Sequence, residues 1–288
     1  MNTLIARPPV AIQALTPAEV AMHVTLKKAL AVTSCWHGDD PNRAFDAFHE
    51  ACHIVSAAHY GNRTIYVYVP KHDAGGNLLT PKGGLQQPGQ TYASMFPALW
   101  QVEDVTYEIE DAVVYYAGIV AECILLGWNL PELPNGSKSD HACGVAQLES
   151  FTGRFHEITR ERRHKRFGAL TDLEERRHIK SMMKYFHGIA LNSARALVSS
   201  QYGTIDAVAA MILLHGENGG LWWSLCHQDW LAAEMRKAPL RRDSARRETW
   251  IRPPKWLGRS PSKTKPFDFT PLRRNLDELM AGQPPRRW

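Results

Sequence analysis

The chain has 288 residues, of which 44% are hydrophobic and 22% are charged, and its formal net charge is +5. This length allows one large domain or two modest ones with a sizeable core, and the composition is ordinary for a soluble globular protein, which argues against a disordered or fibrous chain. No run of about 18 uncharged apolar residues occurs, which argues against a transmembrane helix, and the first residues lack the pattern of a secretory signal peptide.

The cysteines and the charge distribution indicate a cytoplasmic protein in three parts. The five cysteines form no Cys-x-x-Cys pair, so we expect a reducing compartment and no disulfide framework. From residue 236 onward there are 15 lysines and arginines against five acidic residues, and eight of the 18 prolines. We therefore expect an N-terminal helical segment (1–40), a globular domain (41–235) and a basic, proline-rich C-terminal extension (236–288).

Two helices are predicted first along the chain. Thr16-Pro17 with Glu19 is typical of a helix start, and the apolar spacing carries this helix to about Val32. After a loop, a second helix is predicted over 42–58, and Gly61-Asn62 ends it.

The remaining elements are mostly helical. Thr64–Val69 is predicted as a strand because it is rich in β-branched and aromatic residues, and the Gly- and Pro-containing stretch 71–89 is predicted as a flap or surface loop. Further helices are expected over 107–127, 139–164, 171–199 and 204–215. The predicted fold class is therefore mainly α, with a small strand or hairpin element beside the second helix.

The second helix carries the pattern His49-Glu50-x-x-His53. Positions i and i+4 share one helix face, so both imidazoles can bind the same ion, and Glu50 lies close enough to take a proton from a metal-bound water. The alternative is a solvated face with two surface histidines. The apolar residues around the motif disfavour it, because buried histidines and a buried glutamate need partners.

His59 is a candidate third ligand, six residues after His53. A histidine at this spacing resembles the long metzincin signature, in which a glycine three residues after the second histidine turns the chain back to the metal. Here that position is Ser56, within a stretch that can continue as helix, so His59 is interpreted as a helix-end residue.

Several motifs together resemble the peptidase domain of FtsH-type ATP-dependent zinc proteases, over about residues 40 to 220. Phe48-His-Glu-Ala is similar to the start of the family's metal-binding helix, and Gly118-x-x-Ala-Glu122 to its Gly-x-x-Ala-Glu helix. Ser139-Asp140-His-Ala is similar to the segment with its third ligand. Cys52 departs from the pattern, since the family has glycine there.

The resemblance implies a helical zinc-peptidase domain over 41–235, with Zn²⁺ bound by His49, His53 and Asp140 and with Glu50 as general base. From the residues alone, Asp140 is better explained as a helix N-cap than as a ligand. Glu122, in an otherwise apolar helix, either orients a ligand histidine or is a satisfied buried acid.

The expected activity is hydrolysis of peptide bonds by a metal-activated water. The Gly-x-x-x-x-Gly-Lys-Ser/Thr phosphate loop of the family's ATPase is absent from the sequence, so we expect an ATP-independent enzyme acting on flexible or partner-delivered polypeptides. A separate unfoldase and a homo-oligomer are compatible with this expectation. An extended substrate is expected to pair with the strand formed by Thr64, Ile65, Tyr66, Val67, Tyr68 and Val69.

Two alternatives from other functional classes stay open. The first is a catalytically inactive, peptidase-like binding or regulatory protein. The second is a nucleic-acid-associated protein acting through 236–288, where basic residues alternate with Trp250, Trp256, Phe267, Phe269 and Trp288. Basic and aromatic residues can bind nucleic acid by phosphate pairing and base stacking. The favoured interpretation of this extension is an arm that wraps the domain or a neighbouring subunit, and we expect no membrane partner.

Overall fold

The computed structural model describes residues 41–69, 71–72, 78–79, 90–94, 106–126, 135–215, 220–222, 224–237, 266 and 268–281. These residues form a mainly α-helical fold with one three-stranded sheet and one two-stranded sheet, in agreement with the predicted fold class. The helices are α1 (Pro41–His59), α2 (Tyr107–Leu126), α3 (Asn135–Phe167), α4 (Asp172–Ser200), α5 (Tyr202–His215), α6 (Leu225–Lys237) and α7 (Thr270–Met280). The strands are β1 (Arg63–Tyr68), β2 (Lys71–His72), β3 (Leu78–Leu79), β4 (Gln90–Ser94) and β5 (Gly220–Trp222).

The core forms where α1 packs on α2 and α5, and where α2 packs on α3 and α4. α1 is buried along most of its length, since Ala47, Ala51, Ile54 and Val55 are fully inaccessible. α2 is also buried on nearly all sides, because its sequence is apolar around its circumference. Side chains that α1 and α2 direct at one another are therefore held in a close-packed interface.

The predicted helix boundaries in the core are close to those observed. The helix predicted over 42–58 is α1, and the one predicted over 107–127 is α2. α4 begins with a capping box in which Thr171 and Glu174 satisfy one another's backbone N–H groups. α3 starts at Asn135, four residues before the predicted 139. The predicted helix at 16–32 and the segment 1–40 lie outside the described residues.

The expectation that Thr64–Val69 is a sheet edge open to a peptide is wrong. The sheet order is β4–β1–β5, so β1 is the central strand. It pairs antiparallel with β4 along its length and with β5 over Tyr66, Val67 and Tyr68. The Thr64 carbonyl also accepts a 3.0 Å hydrogen bond from Gln228 Nε2. β5 and α6 reach β1 from far along the chain, and β5 occupies the side of β1 that β4 leaves free.

The predicted loop 71–89 contains a small element of structure. β2 and β3 pair as an antiparallel two-stranded hairpin, with Lys71 opposite Leu79 and His72 opposite Leu78. The remaining positions of 71–89 lie outside the described residues.

The C-terminal range 236–288 includes a helix that packs on the domain. Phe269, Leu272 and Leu276 are buried, and the Phe269 ring lies 5.8 Å from the ring of Tyr60 at the end of α1. Arg273 donates to both carboxylate oxygens of Glu110 on α2, at 2.8 and 3.0 Å. This part of the range therefore packs on the domain. Trp250, Trp256, Phe267 and Trp288 lie outside the described residues.

No single described helix has the length and apolar composition of a membrane span. Two consecutive helices, Asp172–Ser200 and Tyr202–Leu214, reach that length and apolar composition only when they are taken together, and they are bent by 75° where they join.

Candidate metal centre

α1 directs the two motif histidines into its interface with α2. His49 and His53 are one turn apart on the helix, and their rings meet nearly edge to face, with centroids 4.6 Å apart. Both side chains are about nine-tenths buried. Their Nε2 atoms approach to 2.9 Å, so the two imidazoles converge on one point as the spacing predicted.

Asp140 of α3 joins the two histidines. Its Oδ2 lies 2.9 Å from His49 Nε2 and 3.4 Å from His53 Nε2. Among the described residues, these three side chains form the group of histidine, cysteine and acidic residues that could hold a metal ion. Because α3 begins at Asn135, Asp140 lies in the second turn and does not cap the helix. Its carboxylate instead faces α1.

The outer nitrogen of each ring has a fixed partner. His53 Nδ1 lies 2.8 Å from the main-chain carbonyl of Val114, which can only accept, so Nδ1 carries the proton. His49 Nδ1 lies 2.7 Å from Glu122 Oε1 and donates to it. Glu122 is 2% exposed and is thus the residue that orients His49. In the neutral rings, both Nε2 lone pairs then face each other and the Asp140 carboxylate.

Gly118 makes this approach sterically possible. A Cβ at this position of α2 would lie 2.6 Å from His49 Cε1, 2.7 Å from His49 Nε2 and 2.9 Å from His53 Cε1. Any side chain would therefore displace both imidazoles. The sequence motif contains Gly118, but its steric role is visible only once α1 and α2 are packed together.

The charges around the centre favour a cation. Burial lowers the pKa of His49, but the Glu122 and Asp140 carboxylates outweigh it and hold that pKa well above its usual value. Burial likewise lowers the pKa of His53, and Asp140 more than reverses the effect. Burial would raise the pKa of Asp140, yet its bonds to the two histidines hold it well below its ordinary value. The three groups together therefore attract either protons or a metal ion.

The donor set and its spacing fit a tetrahedral metal ion. Zinc takes imidazole nitrogen and carboxylate oxygen at about 2.0–2.1 Å, which places neighbouring donors about 3.3 Å apart in a tetrahedral shell. The observed separations are 2.9, 2.9 and 3.4 Å. Three protein donors would leave the fourth position of such an ion open.

The other residues of the motif have distinct surroundings. Glu50 is 4% exposed and acts electrostatically on His53. Cys52 is fully buried, and burial raises the pKa of its thiol well above the usual value, so it packs in the core as a neutral thiol. α1 runs straight through Ser56 and ends at His59, which is exposed and edge-on to Tyr60. His59 is outside the cluster, as expected for a helix-end residue.

Asp111 and Tyr115 also belong to this region, and sequence reasoning missed both. Asp111 is 6% exposed, one oxygen lacks a hydrogen-bond partner among the described residues, and burial raises its pKa to about 7 against an opposing effect of His53. Burial and Asp111, with weaker contributions from Cys143 and Asp140, raise the pKa of Tyr115 to about 12. The sequence signal for Asp111 was the presence of an acidic residue in an otherwise apolar helix.

Comparison of the chain with protein-family models, curated proteins and solved structures finds no match. The FtsH-type resemblance therefore remains a prediction that depends on the motifs.

Proposed function

We propose that this protein is a zinc-dependent metallopeptidase with Zn²⁺ bound by His49, His53 and Asp140. One observation carries the proposal. Two proton acceptors, the Nε2 atoms, lie 2.9 Å apart and face a carboxylate oxygen, while both Nδ1 atoms are engaged as donors elsewhere. Such an arrangement of lone pairs is unfavourable unless a proton or a metal ion lies among them, and a set of two imidazole nitrogens and one carboxylate oxygen suits zinc.

Each residue has a distinct role in the proposed reaction. When bound, zinc would polarise a water molecule and a peptide carbonyl. Glu50, which follows His49 on the same helix, would accept the water proton and return it to the leaving amine. Glu122 and the Val114 carbonyl keep the imidazoles in the tautomer that presents Nε2. Asp140 supplies the negative charge that offsets the cation.

The proposed substrates are flexible polypeptides, or chains delivered by a separate unfoldase, and the proposed setting is the cytoplasm. None of the described cysteines is in a disulfide, which is compatible with a reducing compartment. The proposed hydrolysis is independent of ATP, because a metal-activated water needs no nucleotide.

Metal content tests the ligand assignment. Asp140→Ala should lose the equimolar zinc that the wild type retains after dialysis against a mild chelator, because two imidazoles alone bind zinc weakly. His59→Ala is the matched control, since His59 is exposed and outside the cluster. Loss of zinc in His59→Ala but not in Asp140→Ala would overturn the assignment.

Hydrolysis of an unstructured protein tests the activity. Glu50→Gln should retain zinc and lose at least about 100-fold in rate, because general-base catalysis contributes 10²–10⁴-fold. A wild type that holds zinc and cleaves no unstructured protein would favour the non-enzymatic binding protein. A wild type that cleaves such proteins without zinc would reject the metal mechanism itself.

A further inference from the structure

The distal halves of α3 and α4 form an arm that carries no core. Of the residues 157 to 181 whose side chains the structure describes, none is buried, whereas His156 and Met182 at the two ends of this segment are. We call residues 157–181 the basic arm. Its α3 part, residues 157–167, extends about 15 Å at 1.5 Å per residue. A segment this exposed gains little from burial, so its surface is free to contact another molecule.

The basic arm is held rigid where it joins the domain. Arg163 Nη1 donates to His156 Nδ1 at 2.8 Å, so His156 carries its proton on Nε2 and donates it to Glu175 Oε1 at 2.7 Å. These two hydrogen bonds link α3 to α4. At the tip, Gly168 with φ +81° ends α3, and the Thr171–Glu174 capping box begins α4. The two helices therefore present fixed surfaces.

Positive charge dominates the basic arm. It contains eight lysines and arginines against five acidic residues, together with His164 and His178. Glu175 already interacts with three basic groups of the arm and its base. Its Oε1 lies 3.6 Å from Arg163 Nη2 and 3.7 Å from Arg160 Nε, and it accepts the bond from His156. Glu161 is paired with Lys165. Two of the five acids of the arm are thus paired within it, and cations remain in excess.

The remaining cations point outward on both helices. Arg162 on α3, and Arg176 and Lys180 on α4, are exposed. None of the three has a carboxylate within ion-pair distance among the described residues of the chain. Fixed helices with several unpaired guanidinium and ammonium groups offer positive charge at more than one point of the surface. The closely spaced phosphate charges of a nucleic acid duplex, one per about 1.7 Å of helix axis, can pair with several such cations at once, whereas the acids of a protein surface are scattered.

We propose that the basic arm is a binding surface for the phosphate backbone of double-stranded nucleic acid. The contact is electrostatic and independent of base sequence, because arginine and lysine side chains would pair with phosphates rather than with base edges. It is separate from the metal centre, since the arm begins 17 residues after Asp140 and shares none of its donors. It also differs from the binding through 236–288 considered above.

Fluorescence anisotropy with a labelled 20-base-pair DNA duplex of arbitrary sequence tests the proposal. The wild type should bind at 50 mM salt, and its affinity should fall steeply at 200 mM. The double variant Arg162→Glu, Arg176→Glu should lose at least about 10-fold in affinity at 50 mM salt, and its slope of log K against log salt should fall by about 2. Arg162→Gln with Arg176→Gln should give an intermediate loss.

The matched control is Arg236→Glu with Arg274→Glu. These residues are exposed on α6 and α7, and the change in net charge is identical. The control should keep its affinity within about 3-fold, as removal of distant charges alters only long-range attraction. Circular dichroism confirms that both variants retain the wild-type helix content.

Three results would overturn the proposal. The first is absence of duplex binding by the wild type at 50 mM salt. The second is an equal or larger loss in the control pair, which would place binding in the C-terminal range. The third is an oligomer dissociated by the arm variant with no effect on duplex binding, which would make the arm an interface between copies. The measurement is repeated in Glu50→Gln, so that failure of the peptidase proposal leaves the result unchanged.

Discussion

His49 and Glu122 are joined by a 2.7 Å hydrogen bond from Nδ1 to Oε1 that spans 73 positions of the sequence. It is buried in the interface of α1 and α2, where Glu122 is shielded from water. The bond fixes the tautomer of His49 and raises the basicity of the nitrogen that faces Asp140.

Substitution of Glu122 should therefore weaken metal binding without unfolding the protein. Glu122→Gln can still accept from His49 Nδ1 but removes the charge, and we expect about 10-fold weaker zinc affinity. Glu122→Leu removes the bond as well, and the loss should approach about 100-fold. Competition with a chromophoric chelator gives both constants. Affinities equal to the wild type in both variants would show that Glu122 is only a satisfied buried acid.

Gly118→Ala should damage the metal centre through steric contact alone. The added methyl would lie 2.6 Å from His49 Cε1, so the rings must move, and we expect loss of retained zinc with a stability cost of about 1–3 kcal/mol. The control is Gly153→Ala on α3, where a Cβ meets no atom within 4 Å. That variant should be neutral or up to about 1 kcal/mol more stable. Zinc content and urea unfolding distinguish the two, and retention of zinc by Gly118→Ala would contradict the steric argument.

The stability of the metal-free protein should depend on the ionisation of Asp111. Burial raises its pKa to about 7, whereas in the unfolded chain it titrates near 4. Below pH 4 both states hold the proton. Between pH 4 and 7 only the unfolded state releases it, so stability falls as pH rises, and above pH 7 the loss stays constant.

Asp111→Asn cannot ionise and so never places a charge in this buried position. The variant should be about 1–3 kcal/mol more stable than the wild type at pH 8, with much less difference at pH 4. Urea unfolding of metal-free samples at the two pH values measures it. Asp229→Asn, an exposed position on α6, controls for the loss of one charge. A difference from the wild type that is the same at both pH values would contradict the burial effect.

Phe269→Ala should destabilise the whole domain, because this C-terminal residue is 2% exposed and contacts the Tyr60 ring. Removal of a buried phenylalanine side chain costs about 3 kcal/mol or more. Met280→Ala, at a side chain that is 43% exposed, should change stability by less than about 1 kcal/mol. Chemical denaturation provides both values. A cost below about 1 kcal/mol for Phe269→Ala would mean that α7 is dispensable for the fold.

Local patterns predicted the parts of this protein that depend on local physics. The four-residue spacing of His49 and His53 fixed their common face, and Ser56, which offers no turn, correctly placed His59 at the helix end. Asp140 is 91 positions from His49, and no spacing rule links them, so only the motif resemblance indicated it. From the residues alone an N-cap was the better explanation of Asp140, but α3 begins at Asn135.

The errors arose where distant segments meet. Thr64–Val69 has the sequence of a half-buried strand, and nothing in it indicates whether one side or two are paired. β5 and Gln228, which contact this strand, lie more than 150 positions away in the sequence. The burial of Asp111 similarly depends on how α2 packs within the domain. Such long-range pairings are set by the global packing, which hydrophobic periodicity does not encode.

The two histidines differ in how easily mutation can disturb them. His49 is oriented by a side chain, Glu122, so a single nucleotide change in that codon can release it. His53 is oriented by the Val114 main-chain carbonyl, which every amino acid supplies. Among sequences that descend from this one, decay of the centre should therefore begin on the His49 side. The tautomer of His53 should persist as long as α1 and α2 remain packed.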